Sequence, residues 1–392
     1  MGLRENGLPV EGRERQPEMV ALELNLEESY LFSGSPDRMA AKVREYTHAI
    51  QLPNGKPGKR TLRFTPSSEY GDLDAFDRDV YVAMIFLVQM RGGMPVDGKV
   101  SFSLYELVKI LNLPHKGQSF RKVRESILRQ NKLQIDGEMY SKETRSYESE
   151  HFSVWRVHFK ANLDKHGRAS EHHTVTFDEV MVRSYQAGYI KQLDANFYFS
   201  LDKKHARPLY GRIDVGRGGG LMCEFPLSDV KEVLSMASSY KAPSQIKRAL
   251  GPAHEELLLK GFLRDVSYPR DGVVRYEVAK EFEDLRAHSS ERRWSVEENA
   301  AIRALIRRGV WANVAHRLVE EQGAATCMFY VDGLQYQKNV RNPGAWLKKF
   351  IGERLPLPVE PPQRKLEEAE LAPSVAAFDI RPKAPEPVAD PG

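Results

Sequence analysis

The chain has 392 residues, a formal net charge of +4, 41% apolar and 29% charged residues, and only two cysteines. That length allows two or three domains with real cores, and two cysteines far apart exclude a disulfide framework and a zinc–thiolate site. So mild a net charge argues for no class of partner by itself. The longest apolar run, 80–88, covers about half of a bilayer span, and the opening "MGLRENGLPVEGRERQPEM" does not read as a signal peptide. A soluble, cytoplasmic protein with no membrane contact is expected.

Residues 1–71 read as a mostly disordered tail with one short amphipathic piece around 37–46. Over 72–160 the elements come in a definite order. "DRDVYVAMIFLVQMRGG" is a near-continuous apolar helix, buried on most sides and ended by Gly92 and Gly93. "KVSFS" alternates like a strand, and "SLYELVKILNLP" follows as a helix with Ser103 as N-cap and Pro114 as stop. "SFRKVRESILRQNKL" is a further helix with Phe120, Val123, Ile127 and Leu128 on one face. "LQIDGEMYSK" and "HFSVWRVHFK" are β-rich and are expected to pair as a hairpin.

After a linker with short elements at 161–193, residues 194–280 repeat this order. "CEFPLSDVKEVL" lies on "VSFSLYELVKIL" without a gap: Phe225 on Phe102, Leu227 on Leu104, Val230 on Leu107, Val233 on Ile110. "APSQIKRALGPAHEELLLKGFL" supplies the long helix, its inner face Ile246, Leu250, Ala253, Leu257 and Leu258, and "LRDVSYPRDGVVRYEV" a hairpin turning at 269–272. The offset drifts from 123 to 130 at Leu133 and Leu263, which suggests about seven extra residues before the last helix of one copy. The expected fold is α+β: two tandem winged helix-turn-helix domains, a small helical C-terminal segment at 291–352 and disordered termini. Chance likeness between two small α+β domains is the plainer alternative. "RRWSVEENAAIRALIRRGVWANVA" is only faintly like a Myb repeat, and a helical cap is the simpler reading. "NPGAWLKKFI" begins with Asn342 as N-cap and Pro343 at the first helical position. Proline density makes 353–392 a disordered tail.

The long helix of each copy is the candidate for the DNA major groove, and the wing for the backbone. In the first copy Lys116, Gln118, Ser119, Arg121, Lys122, Arg124 and Arg129 are the candidates. In the second they are Lys241, Ser244, Gln245, Lys247 and Arg248, with Arg270 and Arg275 on the wing. Taken singly, each cation is an ordinary solvated residue; their recurrence on the same element of both copies carries the reading. The second copy, with polar and basic residues at its helix start, is expected to supply more of the specificity. "GMPVDGKV" fits G-x-x-x-x-G-K, but Val100 replaces the Ser or Thr that would hold magnesium and the stretch leads into a strand, so it is a turn. "GRGGG" is a connection. No catalytic or metal-ligating constellation stands out; no enzyme, metal or cofactor is expected.

The strings "DRDVYVAMIFLVQ", "VSFSLYELVKILNLP", "SFRKVRESILRQNKLQI", "FSVWRVHF" and "LDANFYFSLDKKHARPLYGRID" resemble plasmid replication initiators of the replication initiator protein A type over about 75–280. The resemblance implies a protein that binds repeated double-stranded sites in a plasmid origin, helps open adjacent A·T-rich DNA and recruits the host initiator and replicative helicase. It also implies copy control, through dimers that repress their own promoter. Where the family tends to carry two adjacent arginines, this chain has Arg207-Pro208, which suggests a later or kinked helix start. A winged-helix transcriptional regulator without a replication role is the alternative. A general single-strand binder finds support only in Tyr140, Tyr147, Phe152 and Trp155, which core packing explains better.

Overall fold

Asp74 starts the helix on which the first half of the chain is built. Its side chain accepts from the Phe76 and Asp77 amides while Asp77 reaches back to the Asp74 amide, closing a capping box on Ala75–Met90. Every residue from 80 to 88 is buried. The helix is apolar all round because the strand Met19–Glu23 and the helices Leu104–Ile110 and Gly117–Lys132 pack on it. The computed structural model describes residues 15–33, 42–51, 56–160, 172–237, 239–287 and 293–359.

The architecture is mixed α+β, and one order of elements occurs twice. In the first unit the strand Lys99–Phe102 leads into Leu104–Ile110, capped by Ser103 and Glu106, and then into Gly117–Lys132. Lys99–Phe102 pairs with His173–Phe177, which pairs with Trp155–His158. In the second unit Ala206–Gly216 is the first helix, and Met222–Pro226 leads into Leu227–Val233 and Pro243–Leu259. Met222–Pro226 pairs with Val273–Val278, which pairs with Leu263–Ser267. Both sheets therefore run first, third, second strand. Phe102 and Phe225 occupy equivalent strands, and both rings are buried.

Four expectations are corrected. Gln134–Ser141 does not pair with the tryptophan strand; it pairs with Ser146–Phe152, an extra hairpin between the long helix and the two closing strands of the first unit. That hairpin continues the hairpin Arg44–Gln51/Pro57–Thr65 into a four-stranded sheet. Gly137 lies opposite Leu62 at φ 134°, where a Cβ would stand 2.1 Å from the Thr61 carbonyl oxygen, so only glycine allows that approach. The described part of 1–71 is accordingly strand and short helix rather than tail. Met19–Glu23 pairs with Ile190–Asp194, and the piece expected around 37–46 is a strand from Arg44 onward, with 34–41 outside the described residues. Residues 161–193 are not simply a linker, since His173–Phe177 completes the first sheet and buries His173 against Phe102. Finally, the connection before the long helix is 111–116 in one unit and 234–242 in the other, so only part of the drift precedes that helix.

Helices Val296–Arg307, Ala312–Gln322, Ala324–Gly333 and Pro343–Gly352 form the C-terminal segment; the last starts with the Asn342 side chain accepting from the Ala345 amide. Val296–Arg307 packs on the short helix Ala195–Ser200, and Arg293–Ser295 pairs with Arg15–Pro17, which ties this segment to the N-terminal strands. The proline-rich stretch from 360 lies outside the described residues. Among the described residues no helix is long and apolar enough to cross a membrane.

Candidate nucleic-acid interface

The long helix of each unit divides into two halves. In Gly117–Lys132 the residues Val123, Ser126, Ile127, Arg129 and Gln130 are buried, and the Trp155 indole donates to the Ile127 carbonyl at 3.1 Å. Lys116, Gln118, Arg121, Lys122 and Arg124 are exposed and Ser119 is half-buried, all in the N-terminal half. The structure thus brings six of the seven first-unit candidates onto one accessible end of one helix. Lys122 Nζ stands 3.8 Å above the Phe76 ring and the Arg124 guanidinium 4.3 Å above Phe159, cation–π contacts that restrain both side chains. The first turn contains no acid, and Lys116 at the N-cap makes no side-chain bond to it. The Ser119 amide donates to the Lys116 carbonyl at 2.9 Å, so the Gly117 and Gln118 amides, with the positive end of the helix dipole, are what this turn offers a phosphate.

Arg129 is the exception and is withdrawn as a DNA contact. It is 4% exposed, and its guanidinium bonds both oxygens of Asp77 at 2.8 to 3.2 Å. Burial and the neighbouring Asp74 push the Asp77 carboxyl up to about 6, against the pull of Arg129. Helix periodicity explains the error: position 129 falls on the inner face with Ser126 and Gln130.

In the second unit Lys241, Ser244 and Arg248 are exposed around the start of Pro243–Leu259, whose first turn is also free of acid. Gln245 is corrected from base reader to cap: its Oε1 accepts from the Lys241 and Ala242 amides at 2.9 and 3.1 Å. Lys247 is half-buried, with Nζ 4.3 Å above the Tyr268 ring. Arg270 is exposed in the hairpin turn, whereas Arg275 is paired across the sheet with Glu224 at 2.6 Å and is no free cation. Glu256, in the later half of the same helix, lies on its inner face. It is buried, accepts from the Asp202 and Lys203 amides, and is paired with Lys260 at 2.7 Å.

Sequence reasoning missed Arg156 and Lys160. Both are exposed, Arg156 on Trp155–His158 and Lys160 just after it, before the connection to the last strand, as Arg270 is in the second unit. The alternation in "WRVHFK" was a usable signal once Trp155–His158 was paired with the right strand. The two units meet through Asp79, which accepts from the Tyr198 hydroxyl at 2.7 Å and from Arg207 at 2.6 Å. Arg207-Pro208 therefore neither delays nor breaks the helix, which begins at Ala206 with Pro208 in its first turn.

The profile of the family described as replication initiator protein A matches residues 37–255. The chain belongs to the replication initiator protein A family. Within this initiator the match spans the first unit, the junction at Asp79 and most of the second unit's long helix, and ends before the closing hairpin. Among solved structures the initiator is similar to the crystal structure of RctB domains 2-3, RctB-155-483. The identity is 12% and the TM-score 0.40, over 67% of this chain and 98% of that one. It is also similar to selenomethionine derivatives of domain 2 and domain 3 of RctB, at 11% identity and a TM-score of 0.40, over 64% and 97%. No curated protein matches the sequence.

Proposed function

We propose that this initiator binds repeated double-stranded sites in a plasmid origin through two tandem winged helix-turn-helix units, helps open the neighbouring duplex and recruits host replication proteins. The observation that carries the reading is the recurrence, in both units, of an acid-free, exposed helix start rich in cations after the same strand and helix. Such a start enters a major groove with its dipole toward phosphate and its first side chains toward base edges, while the closing strands reach the backbone. Arg121, Lys122, Arg124, Lys241 and Arg248 act on phosphate or guanine, and Gln118 and Ser244 stand where base edges are read. Catalysis of bond chemistry is not part of the proposal. Recruitment is assigned to the C-terminal segment, which exposes Phe329 and Tyr336.

Deleting the C-terminal segment is a poor test, because its first strand and helix are bonded to the N-terminal strand and to Ala195–Ser200. Point variants serve better. Arg121→Ala with Lys122→Ala, and separately Lys241→Ala with Arg248→Ala, are expected to weaken binding to an origin repeat about tenfold or more. The salt slope should fall by about one for each phosphate that is no longer neutralised. Phe329→Ser with Tyr336→Ser should leave binding in place and abolish maintenance of a plasmid carrying the origin. Unchanged affinity in both cation pairs would refute the interface. Origin binding by a parent chain that supports no plasmid would favour the transcriptional regulator, which needs the same two units and nothing more.

A further inference from the structure

Glu18, Asp194 and His316 come from three distant parts of the chain and meet in the interior. Each is 1% exposed, and one potential ligand atom from each lies within 4.8 Å of the other two. The backbone fixes the two carboxylates side by side. Met19 faces Asp194 at the end of the Met19–Glu23/Ile190–Asp194 ladder, and the Ala195 amide donates to the Glu18 carbonyl at 2.9 Å. His316 enters from the middle of Ala312–Gln322.

Two features of this cluster are hard to account for with protein atoms alone. First, His316 Nδ1 is 2.9 Å from Glu18 Oε1, yet neither ring nitrogen has a hydrogen-bond partner, because that oxygen lies off the N–H axis. A hydrogen bond would place the oxygen on the axis. A cation coordinated at about 2.0 to 2.2 Å by both atoms would take the axial position and leave the oxygen beside it. Second, two buried carboxylates share the cluster with one imidazole, which can match at most one of two negative charges. Arg286 acts on Asp194 only from a distance, its own donors being committed to Asp214 and the Gln192 carbonyl. A divalent cation with neutral imidazole would bring the site to zero net charge, as burial demands.

We infer that Glu18, Asp194 and His316 form a binding site for a divalent transition-metal ion of the zinc type, which clamps the C-terminal segment onto the junction of the two units. One nitrogen and two carboxylate oxygens are a three-residue set that zinc accepts, with water in the fourth position. The outer contacts are those of a built site. The Trp294 indole donates to Glu18 Oε2 at 3.1 Å, and the Phe197 amide donates to Asp194 Oδ1 at 2.7 Å, so each carboxylate is held by a donor on one of its oxygens. The absence of cysteine from the set explains why spacing motifs in the sequence gave no sign of it. This inference does not depend on the mode of DNA binding.

The test uses the full chain, purified without chelator. Elemental analysis should find one zinc per chain. Thermal unfolding should shift down on treatment with EDTA and recover on adding zinc chloride. His316→Phe and, independently, Asp194→Asn should each lose stoichiometric zinc while keeping the parent circular dichroism spectrum. Trp294→Phe should weaken zinc binding about tenfold or more by loosening Glu18, and His172→Ala, at an exposed histidine, should retain the metal. If His316→Phe does not fold, Asp194→Asn and Trp294→Phe still decide the matter. Substoichiometric zinc in the parent, with stability indifferent to zinc and EDTA, would overturn the assignment and leave a hydrogen-bonded charge cluster. Zinc retained in full by Asp194→Asn and lost by His172→Ala would overturn it equally.

Discussion

Gly117–Lys132 and Pro243–Leu259 each press a charged side chain from their C-terminal half onto the start of their unit's first helix, with opposite signs. In the first unit that start already carries Asp74 and Asp77, and the long helix supplies Arg129. In the second the first helix follows His205, which has a φ of 70° and makes no side-chain cap, and the amides of its approach need an acceptor. There the long helix supplies Glu256, which takes up the Asp202 and Lys203 amides, and Lys260 balances it. The buried half of each helix thus takes whatever sign its neighbour lacks. Only the exposed halves share a sign, so only they can share a ligand.

The largest expected effect breaks this comparison directly. Arg129→Leu strands the Asp77 carboxylate in the core and should cost about 3–5 kcal/mol of stability in urea unfolding, and Glu256→Leu should cost a similar amount by stranding Lys260. Arg129→Leu combined with Asp77→Leu should recover most of that stability, since the pair itself contributes little beyond satisfying its own burial. A change under about 1 kcal/mol for either single substitution is what an exposed pair would give, and would remove the opposition of signs drawn above.

The second effect belongs to one unit only. The second long helix buries His254, with Nε2 3.0 Å from the Tyr276 hydroxyl, whereas the buried residues of the first include no histidine. Burial pulls His254 down to about 4 from its ordinary 6.5. The depressed value means that the neutral ring is the folded form. Its contribution is complete above pH 6.5 and is lost as pH falls toward 4, at most about 3 kcal/mol. His254→Phe should flatten this part of the pH–stability curve, while Ile127→Val should leave its shape unchanged. A slope surviving in His254→Phe would assign it to other groups.

The legible part of the fold was the part written in local periods. The apolar run at 80–88, the Ser103 and Asn342 caps and the ungapped match of 100–111 with 223–234 were all readable from neighbouring residues. What failed was long-range pairing. Nothing in "LQIDGEMYSK" says that its partner is Ser146–Phe152 rather than the tryptophan strand, or that its other edge meets Pro57–Thr65. A two-residue period fixes a face, not a neighbour. The same limit hid Glu18, Asp194 and His316, whose meeting depends on three separate packings. On the long helices, residue type could not say which cations lie outward; only burial separated Arg129 from the exposed cations beside it.

The smallest effect concerns two glutamines that the sequence treats alike. Gln118 and Gln245 each stand near the start of a long helix, yet Gln118 is exposed and Gln245 turns back to the Lys241 and Ala242 amides. A side chain that satisfies otherwise open amides at a helix start contributes about 1 kcal/mol. One that faces a base edge contributes nothing to the free protein and discriminates among sequences by about 1–3 kcal/mol. Gln245→Ala should therefore lower the unfolding midpoint slightly and leave the ranking of origin variants unchanged. Gln118→Ala should do the reverse, relaxing preference at one base pair with no change in stability. Measured side by side by thermal melts and by binding to a set of singly substituted repeats, the pair separates the two uses of a helix start. If Gln245→Ala relaxes specificity as much as Gln118→Ala does, the cap opens on binding DNA and the two units read bases in the same way.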